Sequence, residues 1–148
     1  MARGKKRVAA LVNSTELRVR FSEVDSMQIV WHGEYVKYFE DGRESFGEEF
    51  AGIGYMDIYG SGYTAPIVEL NLEYKRSLKC GERAVVETRY IDTEAAKICF
   101  DYTIRRQSNG EVVATGSSTQ VFLDGKSGEL MLTMPDFYTQ WKQRWIAD

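Results

Sequence analysis

Between Tyr35 and Phe50 the chain carries a single long stripe of large apolar residues at helical spacing, and nearly everything after it alternates at the spacing of strands. Tyr35, Tyr38, Phe39, Gly42, Phe46 and Phe50 recur three and four residues apart, with Glu34, Lys37, Glu40, Asp41, Glu44 and Glu48 between them. This is one face of an amphipathic helix of about four to five turns. Period-two alternation precedes it at Leu17, Val19 and Phe21. It returns over 68–74, 83–91, 97–106 and 112–123. One apolar helix face needs a partner, and a curved antiparallel sheet wrapped around it supplies one. The expected class is α+β.

Local signals refine this order. Gly42 sits on the apolar helix face, where it costs up to about 1 kcal/mol relative to Ala, so something must pack close to it. Gly52, Gly54, Gly60 and Gly62 punctuate a loop, and Asn109-Gly110 and Asp124-Gly125 read as turns in a meander of strands. On the strand after Pro66, Val68, Leu70, Leu72 and Tyr74 share the face expected to point inward. Pro135 and Asp136 suit the first turn of a closing helix, with Phe137, Trp141 and Trp145 four apart.

The 148 residues fit one domain, which at this size buries about 69% of its unfolded surface and needs no disulfide or metal staple. Arg3, Lys5, Lys6 and Arg7 mark residues 1–12 as a basic tail that need not be ordered, leaving 13–148 as the domain. The apolar stretch 8–12 is too short for a signal peptide and no run approaches the roughly 20 residues of a membrane span. A cytoplasmic location without stable membrane insertion is expected. A net charge of -3 disfavours nucleic acid as a partner. Cys80 and Cys99 lack CxxC spacing and have one histidine to join them, so neither zinc nor a disulfide framework is indicated.

Asp25 is the ionisable residue most out of pattern. It follows a strand, precedes the apolar Ile29-Val30-Trp31, and lies seven residues before His32, the only histidine. The helix start near His32 offers unpaired N–H groups and the positive end of a dipole. A carboxylate beside such donors can serve as base or nucleophile facing an oxyanion site. The plainer reading is a turn cap at Asp25 and a helix start at His32.

The segment Phe21-Ser-Glu-Val-Asp25-Ser-Met-Gln-Ile-Val-Trp31-His32-Gly-Glu-Tyr35-Val-Lys-Tyr38-Phe39-Glu40 resembles the signature of the 4-hydroxybenzoyl-CoA thioesterase family, and especially its Tol–Pal-associated acyl-CoA thioesterase branch. Ala65-Pro66-Ile67-Val68, with the alternating strand and the Lys75-Arg76 pair after it, also fits. The resemblance implies a hotdog fold, assembly into dimers through a continuous sheet or into dimers of dimers, and active sites at the dimer interface. It implies hydrolysis of an acyl-CoA or acyl carrier protein thioester with no metal or redox cofactor. Asp25 matches the family's base or nucleophile. His32 matches the helix-start position whose N–H polarises the carbonyl, and in the closer branch its imidazole is catalytic too. Tyr35 matches a recurring site tyrosine.

Two departures stand out. Ser26-Met27-Gln28 replaces a Gly-containing stretch, where Gln28 could reshape the acyl pocket. Glu94-Ala95-Ala96-Lys97 replaces the Arg-Arg-Lys cluster that grips the CoA nucleotide in benzoyl-specific members, so only Lys97 remains as a binding candidate. Trp31, Tyr63 and Tyr74 could line an acyl or pantetheine channel, with core packing as the plainer reading. A related branch uses a helix Glu instead, which makes Glu40 and Glu44 controls. Competing functions are a non-catalytic acyl-thioester binding domain of this fold and a hotdog dehydratase, whose His and acid sit elsewhere along the chain.

Overall fold

A computed structural model describes residues 9–146. In chain order the elements are β1 (Ala9–Arg18), a 3-10 turn (Phe21–Glu23), α1 (Glu34–Glu49), α2 (Tyr55–Gly60), β2 (Tyr63–Thr64), β3 (Ile67–Tyr74), β4 (Arg83–Ile91), β5 (Lys97–Arg106), β6 (Val112–Val121), β7 (Leu123–Asp124) and α3 (Asp136–Ile146). The five long strands form one antiparallel sheet in the order β1-β4-β5-β6-β3, and β2 pairs with β7.

Helix α1 ends within one residue of the span its aromatic stripe dictates. Tyr35, Tyr38, Phe39, Gly42 and Phe46 are buried, while Glu40, Asp41, Glu44 and Glu48 face outward. Phe39 stacks on Tyr102 of β5 at 4.3 Å between centroids, and Phe46 meets Phe100 edge-on at 5.0 Å. The sheet covers the helix, which is the α+β hotdog arrangement. Helix α3 closes one end. Its buried residues are Tyr138 and Trp141, with Phe137 and Trp145 partly covered. The Trp141 Nε1–H donates to Phe50 O at 2.7 Å, tying α3 to the end of α1.

Gly42 is where helix and sheet come closest. A Cβ there would stand 2.4 Å from Thr88 Oγ1 and 2.9 Å from Val86 Cγ1. Both residues are fully buried on β4, and β-branched side chains turn aside poorly. Gly42→Val should therefore destabilise the protein by about 2 kcal/mol, seen as a melting temperature lower by roughly 4–8 °C. An unchanged melting curve would mean that α1 lifts freely off β4.

Several elements depart from the sequence pattern. Strand β1 begins at Ala9 and pairs with β4 from there, so residues 9–12 join the sheet; residues 1–8 of the expected tail lie outside the described residues. Phe21 does not continue the alternation. It opens the 3-10 turn and is 83% exposed, because the Glu23 carboxylate accepts the Arg20 N–H and bends the chain there. The loop after α1 contains α2, begun where Asp57 Oδ2 accepts the Gly54 N–H at 3.0 Å. The meander holds for β4–β5–β6 only. β3 pairs with β6 at the far edge, since the stretch 75–82 is not a tight hairpin and is engaged elsewhere, through Leu78 and Lys79, with residues 29 and 30.

The face of β3 is the largest correction. Leu70 pairs opposite Ser118, whose hydroxyl bonds the buried Tyr102 hydroxyl, so Leu70, Leu72 and Tyr74 do lie on the inner side; a bulge breaks the alternation at Val68, and Ile67, opposite Gln120, takes the inner position in its place. Yet β3 is an edge strand, with a neighbouring strand on one side only. Leu72 is partly buried against the core and the Tyr74 ring touches it at Tyr35, while Val68 and Tyr74 remain 60% and 50% exposed.

Candidate active site

The site begins with the turn between β1 and α1. Glu23 Oε1 accepts the Tyr38 hydroxyl at 2.9 Å, and Glu23 O accepts the Trp31 N–H at 2.8 Å. One residue thus ties both ends of the loop to the buried face of α1. Sequence alone does not reveal this role, because nothing in periodicity distinguishes Glu23 from a surface carboxylate.

Inside that loop the chain doubles back. The Asp25 N–H donates to Ile29 O and the Gln28 N–H to Asp25 O, both at 2.9 Å, while the Val30 N–H reaches Leu78 O. Gln28 takes up a left-handed φ of 69°, the backbone conformation that favours Gly. Gln28 therefore shapes the turn through its backbone, and it lines neither cavity described below. Asp25 is half-buried. Its Oδ1 accepts the Met27 N–H at 2.8 Å, so the turn itself orients the carboxylate. Its Oδ2 has no hydrogen-bond partner among the described residues.

The start of α1 lies opposite. Gly33 is the N-cap position and no side chain caps the helix. Among the described residues the N–H groups of His32 and Gly33 have no acceptor, which leaves the positive helix end open. The Trp31 indole lies across Gly33, where a Cβ would come within 2.2 Å of its ring. The same ring is tilted against the His32 imidazole at 5.0 Å. His32 O accepts the Tyr74 hydroxyl at 2.7 Å.

A cavity of about 350 Å³ joins these parts, lined by Asp25, Met27, Ile29, Val30, His32, Tyr35, Tyr74, Lys75, Arg76 and Ser77. Desolvation raises the Tyr35 and Tyr74 hydroxyls above their ordinary values, so both remain protonated donors at neutral pH. Of the sequence candidates, Asp25, His32, Tyr35 and Tyr74 meet here. Lys75 and Arg76 are additions; their signal was a cationic pair directly after a strand. Trp31 covers the helix start without lining the cavity.

A larger cavity of about 1020 Å³ lies between α1, α2 and the 63–67 segment, with Phe46, Ile53, Ile58, Ile67, Ile98 and Phe100 on its walls and Glu40, Arg43 and Glu44 at α1. Tyr63 lines this one. It holds neither Asp25 nor His32. Lys97 lines neither cavity. It opens β5, where its carbonyl accepts the Tyr138 hydroxyl at 2.9 Å. Cys80 is exposed and Cys99 half-buried, and among the described residues no group of three or more His, Cys, Asp or Glu could hold a metal. No helix among them is long and apolar enough to cross a membrane.

Comparison with known proteins agrees with this fold. A Bacillus subtilis (strain 168) protein, YneP, provisionally named an acyl-CoA thioesterase, is 31% identical over 135 residues, covering 89% of this chain and 96% of its own. The chloroplastic acyl-acyl carrier protein thioesterase ATL3 of Arabidopsis thaliana is 33% identical over 114 residues, 77% of this chain and 60% of that one. Among solved structures, a DHNA-CoA thioesterase from Staphylococcus aureus superposes with a TM-score of 0.79 at 25% identity, covering 90% of each chain. A 12:0-ACP thioesterase from Umbellularia californica shares the fold at a TM-score of 0.81 and 14% identity, over 93% of this chain and 51% of that one. The match to the thioesterase-like superfamily runs over residues 19–141, across the Asp25 turn, the wrapped helix and the whole sheet beyond it, and the chain belongs to that superfamily.

Proposed function

We propose that the protein hydrolyses acyl-CoA or acyl carrier protein thioesters to free acid and thiol in the cavity between the Asp25 turn and the start of α1. The observation that carries this reading is the shared cavity of a half-buried carboxylate with one free oxygen and an uncapped helix N-terminus. A thioester carbonyl placed there would have its oxygen toward the His32 N–H and its carbon toward Asp25. Asp25 either takes a proton from a water that attacks the carbon or attacks it directly to form an anhydride that water then opens. In both routes the negative charge grows on the carbonyl oxygen beside the helix end, where such charge is stabilised most. Collapse expels the thiolate, which takes up a proton. The names of the relatives support both thiol carriers as substrates.

In this reading the working form is a homodimer, or a dimer of such dimers, in the cytoplasm. Antiparallel pairing of β3 with the β3 of a second copy would cover Val68, Leu70 and Tyr74. It would also set the Tyr74 end of one subunit, beside Asp25, against the Ile67 end of the other, beside the larger cavity. A place in the Tol–Pal-associated branch rests on the resemblance of the Phe21-to-Glu40 segment.

A panel of acyl-CoA and acyl carrier protein thioesters of graded chain length, assayed by release of thiol, tests the proposal. Turnover of at least one supports it; tight binding without turnover would replace it with a binding domain. The proposal also includes a part for the His32 imidazole, as the resemblance implies, so His32→Ala should lose nearly as much kcat as removal of the Asp25 charge. The double variant should then be little worse than either, as for residues acting as a unit. Full activity in His32→Ala would leave only its backbone N–H in the mechanism.

A further inference from the structure

The backbone around His32 is fixed from both sides. Trp31 O accepts the Glu34 N–H at 2.9 Å, which sets the peptide that carries the His32 N–H. His32 O accepts the Tyr74 hydroxyl at 2.7 Å, which sets the next peptide. Since each peptide is planar, the two bonds leave little freedom at the His32 Cα. They fix the direction of its N–H and the root of its imidazole together.

Tyr74 is well placed for this. Its backbone is held in register opposite Ala114 of β6. Its ring packs edge-on against buried Tyr35 at 5.2 Å, Tyr35 against Tyr38 at 5.6 Å, and Tyr38 donates to Glu23 at the base of the Asp25 turn. The same residue ends the edge strand whose apolar face is open in one protomer.

We propose that Tyr74 is a positioning residue whose hydroxyl holds the His32–Gly33 peptide, and through it presents the His32 N–H and imidazole to the Asp25 cavity. The catalytic part of this inference rests on the thioester-hydrolase reading; the tether itself does not. Loss of the tether allows misplacement without removing a donor, so the effect should be smaller than the roughly 10²–10³-fold that follows outright loss of an oxyanion donor.

The experiment is Tyr74→Phe in the full-length, assembled protein, which keeps the ring and removes only the hydroxyl. The expected result is a kcat about tenfold lower with KM within about twofold, an unchanged melting curve and oligomeric state, and shifted backbone amide resonances for His32 and Gly33. An unchanged kcat in an active wild-type background would overturn the proposal, as would a loss that appears only in KM or in thermal stability. If wild-type protein releases thiol from no thioester, the hydrolase reading fails by itself. The amide resonances still decide the tether: shifts at His32 and Gly33 in Tyr74→Phe sustain it, and unmoved resonances overturn it.

Discussion

Replacing Asp25 by asparagine should lower kcat for thioester hydrolysis by at least about 100-fold, because a positioned general base contributes some 10²–10⁴-fold. The substitution is nearly isosteric, and an asparagine Oδ1 can still accept the Met27 N–H that Asp25 Oδ1 accepts at 2.8 Å. The turn, the paired residues 29 and 30 and the start of α1 should therefore persist, and the melting curve should match wild type. What is lost is the charge and proton affinity of the second oxygen, the one with no partner among the described residues. Glu40 and Glu44 are the controls. Both sit on the outer face of α1 at the larger cavity, so Glu40→Gln and Glu44→Gln should keep most of the activity. Near-wild-type turnover in Asp25→Asn, with one of these two variants dead, would move the reactive carboxylate onto the helix.

Charging the edge strand should be nearly as damaging to activity. Val68 and Leu70 are 60% and 38% exposed on β3, and pairing with a second copy would bury them. Burial of one such side chain contributes about 1.5–3 kcal/mol, and two-fold symmetry doubles each loss. Val68→Lys with Leu70→Lys should weaken the dimer by at least about a thousandfold, giving a monomer by light scattering at assay concentration. Activity should fall at least tenfold with it, because the Asp25 cavity would lose the neighbouring surface of the partner. Circular dichroism checks that the monomer stays folded, since the outermost strand is held by β6 alone. A fully active monomer would overturn both the interface and the shared site.

Periodicity carries local information, and the residues show where that information stops. The stripe from Tyr35 to Phe46 determined α1 and its buried face, and alternation determined β4 and β5 to the residue, because each burial pattern is set within one element. Gly42 announced a close approach, although only the fold names Val86 and Thr88 as the neighbours. Asp25 and His32 stood out as a turn carboxylate and a helix start, and seven residues of separation left few ways to keep them apart. Tertiary structure decided the rest. It chose β6 as the partner of β3, left Val68 and Leu70 exposed on the edge strand, and sent Lys97 away from both cavities. It turned Gln28 into a backbone feature and made Glu23 and Tyr74 the residues that hold the loop and the helix start. Each of these depends on which distant segment arrives alongside, as Tyr74 reaches His32 across 42 positions. Side-chain period reports which face of an element is apolar; strand pairing across the sheet determines what that face meets.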